Sequence, residues 1–169
     1  GKPIATQVPL LVERRNGNWI LQGHVMRNTD HHKAFLANPQ ILAVFTGPQA
    51  YVSATWYSNP HMGSTWNYMS VHVNGYLRVV NADEKVNFMR RLSLRFEDEN
   101  TESPTVFDNL GEEYHKRMLP AIDVFEIEAE HIDHVFKLSQ DRDKESVENI
   151  IRKLENQGGE SALMADEMK

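Results

Sequence analysis

Between Gln49 and His72 the chain concentrates Tyr51, Ser53, Trp56, Tyr57, His61, Trp66, Asn67, Tyr68 and His72, with two of its three tryptophans among them. Aromatic faces beside amide and hydroxyl groups are what a flat heteroaromatic ligand requires: rings to stack on and a few donors for its oxygens and nitrogens. The same residues would also serve as core and turn aromatics. A second chemical group is the run from His24 to Asp30, where Arg27 directly precedes an expected helix start with Asn28 or Thr29 as its cap. A guanidinium next to free backbone N–H groups makes a phosphate site; the plainer reading is a surface arginine beside an ordinary cap. A third is Lys137, Ser139, Gln140 and Arg142 at the end of a strand, able to donate to an anion or a ring carbonyl, or simply a strand-to-helix loop with solvated charges.

Other chemistries drop out. Zero cysteine removes disulfides, thiolate metal sites and a thiol nucleophile together. The eight histidines have no metal-ligand spacing: His31 and His32 diverge on a helix, and His131 and His134 point to opposite faces of a strand. Ser53, Ser64, Ser70 and Ser139 lack a nucleophile elbow, and no Gly-rich strand–loop–helix signature for a dinucleotide or P-loop occurs. A net charge of −6 argues against a broad nucleic-acid surface. No apolar stretch is long enough for a membrane span and the start carries no signal-peptide pattern, so the expected location is cytoplasmic, without membrane contact. The 169 residues suit one domain, with residues 142–169 as a C-terminal helical extension.

The elements that must hold these groups can be read from patterning. Pro3 to Glu13 is rich in strand formers, and Asn16-Gly17 turns it into a return strand, Asn18 to Val25, with Pro9 marking an edge or bulge. A short helix follows Thr29 and stops near Asn38, ahead of Pro39. Ile41 to Phe45 reads as a strand covered on both faces, and Gly47-Pro48 as a turn into a second strand, Tyr51 to Trp56. Trp66 to Val80 alternates, with Val73 and Leu77 on one side and Asn74, Tyr76 and Arg78 on the other; Gly75 falls in the apolar set as a bend or bulge. Asp83 to Phe96 is helical, with Val86, Met89, Leu92 and Phe96 facing the core, and Leu110 to Met118 forms a short helix. Phe125, Ile127 and Ala129 alternate with Glu126, Glu128 and Glu130, a strand with one wet face, and another strand runs from His134 to Leu138. Val147, Ile150, Ile151 and Leu154 mark a helix ended by Gly158-Gly159, after which the chain forms a last turn or two or frays. The pattern predicts a mainly antiparallel β-barrel of five to seven strands with α additions.

In order, the strings PIATQVPLL, GHVMRNTDHHKAF, VFTGPQAYVSATWY, STWNYMSVHVNG and VFKLSQDR resemble the PaiB-like family of FMN-binding negative transcriptional regulators across nearly the whole chain. The resemblance implies an antiparallel Greek-key split β-barrel of the flavin-reductase and pyridoxamine-oxidase type, a homodimer, and FMN bound at two sites between subunits. Carried over residue by residue, it implies Thr6 on a strand passing the flavin, and His24, Arg27, Asn28 and Thr29 at the phosphate end. Trp56, Trp66, Asn67 and Tyr68 would lie near the ring or the dimer seam, with Lys137, Ser139 and Gln140 supplied by the late strand. The sequence departs from the family pattern at Gln7 (usually His), Met26 (usually small), Thr29-Asp30 (usually Asn-Pro) and Ala54 (usually Pro). The family also carries a helix and strand ahead of this first residue; without them the expectation is a barrel short of one wall, with a weakened or empty flavin site.

The family name implies regulation and leaves direct DNA binding open, but the sequence shows no helix-turn-helix and no basic recognition helix. The alternatives are a flavin-dependent oxidoreductase acting on a small substrate, for which no acid, base or nucleophile stands out, and haem binding or degradation with His24 or His72 as axial ligand.

Overall fold

The computed structural model describes residues 2–169, gathered into two compact units: the residues up to Leu42 with Asn74–His131, and Ala43–Val73 with Ile132–Lys169. The described residues form five strands, β1 (Leu11–Arg15), β2 (Asn18–Met26), β3 (Gln40–Val52), β4 (Thr65–Val79) and β5 (Ile122–Lys137), hydrogen-bonded in the order β1-β2-β5-β4-β3. They make a mainly antiparallel sheet with five α-helices: α1 (Asp30–Ala37), α2 (Ala82–Phe96), α3 (Glu112–Met118), α4 (Lys144–Gln157) and α5 (Gly159–Glu167).

In the first unit, Asn16 and Gly17 both take positive φ (52° and 89°), the requirement of a type I′ turn, and the β1–β2 ladder runs antiparallel from Leu11↔Gln22 to Arg15↔Asn18. β1 begins after Pro9, so the expected first strand is shorter than its sequence suggests. β2 then pairs with β5 from Ile20↔Glu128 to Met26↔Ile122. Helix α2 opens with a capping box, in which the Asn81 side chain accepts from Glu84 N–H and the Glu84 carboxylate accepts from Asn81 N–H. Its buried residues are Lys85, Phe88 and Leu92, and Phe88 and Leu92 pack with Val80 and Val124. The stripe expected from the sequence is therefore rotated, and Phe96, at its end, is largely exposed.

The glutamates expected to face water divide. Glu126 is buried: it accepts hydrogen bonds from Arg15 (2.9 Å), Arg78 and Gln22, and Arg91 ties Gln22 to Glu13. A strand can carry a carboxylate inward when cations from β1 and β4 reach it. Burial alone would push the Glu126 carboxyl up, but these bonds and the Arg78 and Arg15 charges hold it below the ordinary 4.5. Glu84, bonded by Arg78 and by Asn81 N–H, is lowered to about 2. Carboxylates depressed in the folded state contribute stability above their unfolded pKa and lose it as pH falls through the folded value. The melting temperature is thus expected to hold down to roughly pH 5 and to fall between about pH 4.5 and pH 2. Thermal melts followed by circular dichroism across that range check it; a flat profile would contradict the role of the cluster.

In the second unit, β3 runs straight through Gly47-Pro48, where a hairpin turn was expected. β3 lies at the edge of the sheet, where a proline can point its missing N–H away from the ladder. Its alternating exposure also replaces the expected cover on both faces. Residues Ala54–Trp56 form a 3-10 turn rather than the end of a strand. The two strands expected around Phe125 and His134 are one continuous strand, β5. The core of this unit joins Val52, Ala54 and Tyr57 to Ile150 and Leu154 of α4 and to Met164 and Ala165 of α5. Asp143 caps α4 by accepting from Ser146 N–H, and Gly158, at φ 70°, ends it. The segment after Gly159 is a formed helix whose buried Met164 and Ala165 hold it in place.

Candidate cofactor site

The turn after β2 places the phosphate-type donors. Asn28 takes a left-handed φ of 65°, which asparagine tolerates, and Thr29 caps α1: its hydroxyl donates to Met26 O (2.9 Å) and accepts from His32 N–H. Arg27 reaches back to Asp123 of β5. Its Nε (2.9 Å) and Nη2 (2.6 Å) both donate to Oδ1, while His32 Nε2 lies 2.8 Å from Oδ2. Lys85 of α2 completes the cluster, donating to Ile122 O (2.6 Å) and Leu119 O (3.0 Å) with its ammonium 3.5 Å from Asp123. Burial would raise the Asp123 carboxyl, but hydrogen bonds from Arg27 and His32 and the charges of Arg27 and Lys85 hold it below the ordinary 3.8. Two bonds of five leave three N–H groups of Arg27 without a protein partner among the described residues, on a side chain 45% exposed beside the first turn of α1. That donor set fits a phosphate monoester. Asp30 also sits in this first turn, but it is exposed and its charge is screened.

His24 does not join Arg27. The pairs His24↔Val124 and Val25↔Asp123 put it on the opposite face of the sheet, with its ring 6.2 Å from Phe88. Its Nδ1 is buried with no hydrogen-bond partner among the described residues, and burial lowers its pKa, favouring the neutral ring. Thr6 lies before β1, outside any strand, and is exposed.

The ring-type residues belong to the second unit. Trp66 and Tyr68, with Thr46, Gly47, Gln49, Met69 and Ser70, line a recess of about 340 Å³, at the small end of the range for ligand sites. Trp66 Nε1 donates to Gln49 Oε1 (3.1 Å) and its ring lies 6.3 Å from Tyr51. Half-exposed rings with amide and hydroxyl groups alongside fit an isoalloxazine face. Trp56 instead packs against the core of the unit. Asn67 and Ser139 are brought together but turned on each other: Ser139 Oγ donates to Asn67 Oδ1 (2.9 Å), Asn67 Nδ2 contacts Met168 Sδ (3.4 Å), and both residues are buried. Ser139 holds φ 59° to do so. Gln140 spends its amide on its own turn, accepting from Leu138 N–H and donating to Phe136 O (both 2.7 Å), and Lys137 donates to Thr65 Oγ1 (2.6 Å). These four read as framework.

A further recess of about 320 Å³ in the first unit is lined by Arg15, Asn18, Tyr76, Arg78, Glu126 and Glu128 among others. Its polar groups are engaged with protein: both arginines on Glu126, Asn18 on Glu128 and Tyr76 with Gln40. Sequence reasoning missed His32, Lys85 and Asp123. The available signal was Asp123 itself, a carboxylate between Ile122 and Val124 in an apolar run, which needs a cation nearby.

The fold, a mainly antiparallel sheet with helices, is similar to that of the FAD and haem binding protein from Mycobacterium smegmatis (17% identity, TM-score 0.51, 77% of this chain and 66% of that one). It is also similar to the flavocytochrome Anf3 from Azotobacter vinelandii (14%, TM-score 0.51, 80% and 56%). Residues 1–131 match the family described as "Putative FMN-binding domain". Over 174 aligned residues the whole chain is 32% identical to the Protease synthase and sporulation protein PAI 2 of Bacillus subtilis (strain 168), covering 83% of that protein. The chain therefore belongs to the PaiB-like FMN-binding family, and FMN is the cofactor of that family.

Proposed function

We propose that the protein is a homodimeric FMN-binding split barrel whose Arg27–Thr29 turn holds the FMN phosphate; the Trp66–Tyr68 recess, taken by itself, is a stacking face for a flavin ring. The observation that carries this is Arg27, whose guanidinium is oriented by Asp123 and still has N–H groups to give. Bound FMN supplies hydride or electron exchange, and the protein's part is binding and orientation. A second copy is the natural cover for Val44, Tyr51, Ile132 and Phe136, each 40–52% exposed in the second unit. Regulation, implied by the family resemblance, is then indirect: the net charge is −6 and, among the described residues, no helix presents a basic recognition face.

The reading is tested by titrating FMN against the protein and following quenching of flavin fluorescence, with sedimentation velocity on the same sample. One FMN per chain on a particle of twice the chain mass is expected; a monomer with no quenching would overturn it. Trp66→Ala is expected to weaken FMN and riboflavin alike, by about 1 kcal/mol or roughly fivefold, since stacking involves only the ring. Equal affinity in wild type and variant would remove Trp66 from the site.

A further inference from the structure

We propose that Asp123 is a positioning residue for the phosphate end of the site, acting through Arg27; this rests on the reading just given. Three elements converge on Asp123: Arg27 from the turn after β2, His32 from α1 and Lys85 from α2. Asn28 N–H donates to His32 Nδ1 (3.3 Å), which leaves the hydrogen on Nε2 to be donated to Asp123 Oδ2 (2.8 Å). A closed path results, from the Asn28 backbone through His32 and Asp123 to the Arg27 guanidinium and back along the chain. It fixes the left-handed residue of the turn and one edge of the guanidinium together.

A long arginine side chain free in solvent would lose its rotamer freedom on meeting a phosphate. Here that freedom is already spent, because Nε and Nη2 share one oxygen and the remaining N–H groups are directed away from it. The carboxylate would also repel a phosphate. Its side chain is only 8% exposed, however, and the two positive charges of Arg27 and Lys85 outweigh its single negative one, so orientation is the larger effect. Outer partners of this kind commonly matter about tenfold or more where they orient a ligating group.

The test compares FMN with riboflavin, which lacks the phosphate, in wild type, Asp123→Asn, Arg27→Ala and the double variant. Asp123→Asn is expected to weaken FMN about tenfold while riboflavin changes less than about twofold, and to add nothing further in the Arg27→Ala background. A folded Asp123→Asn protein with unchanged or tighter FMN binding, equal losses for both flavins, or the same loss without Arg27 would overturn the proposal. Should Asp123→Asn fail to fold, His32→Gln serves instead: a smaller loss of FMN preference is expected, and an unchanged preference overturns it. A wild-type protein that binds FMN no better than riboflavin would defeat the phosphate reading itself, a distinct result.

Discussion

Gly75→Ala is expected to cost about 3 kcal/mol of folding stability, because the added methyl has no space to enter. A Cβ at this position would fall well inside contact with the carbonyl oxygen of Glu128, and 3.0 Å from both its carbonyl carbon and Ile127 Cγ2. The obstacle is backbone of β5, which cannot rotate aside as a side chain can, so β4 and β5 must separate and strain their ladder. The contrast is Gly23, where the nearest atoms are the side-chain carbons of Leu10 and Phe125. Denaturant unfolding should show a lower midpoint for Gly75→Ala at unchanged slope. A midpoint within error of wild type would contradict the close approach. The substitution bears on the site as well, since Ile127 and Glu128 belong to the segment of β5 that pairs with β2 and carries Asp123.

Arg27→Ala is expected to lower FMN affinity by roughly 1.5 to 3 kcal/mol, the size of a charge-assisted hydrogen bond to phosphate. Riboflavin affinity should stay close to wild type, because nothing of the ring contact is removed. Removing Arg27 also takes the exposed partner from Asp123, but His32 and Lys85 remain on that carboxylate, so the fold is expected to survive with a modest loss in melting temperature. Flavin fluorescence titrations with the two ligands separate these effects. Parallel losses for FMN and riboflavin would show that Arg27 supports the fold rather than the phosphate.

Local chemistry was legible where a single dipeptide or cap decides the outcome. Asn16-Gly17 makes its turn, Thr29 caps α1, and Asn38 closes that helix ahead of Pro39. The rest depended on neighbours that spacing does not reveal. Pro48 reads as a breaker until β3 is known to be an edge strand. Glu126 reads as a wet-face residue until Arg15 and Arg78 arrive from strands far away in sequence. For the proposed site, Arg27 and its turn could be singled out because their geometry is local. Asn67 and Ser139 looked like ligand donors because a sequence shows which groups can donate, not which have already been paired across 72 residues. His32 and Asp123, 91 positions apart, were invisible for the same reason.

The most direct test of the account is to purify the protein, denature it and identify the small molecule released by its absorption spectrum and chromatographic mobility. Release of FMN, with bands near those of free flavin and one molecule per chain, is the expected result. A protein that releases no flavin, and that does not take up added FMN in preference to riboflavin, would contradict it.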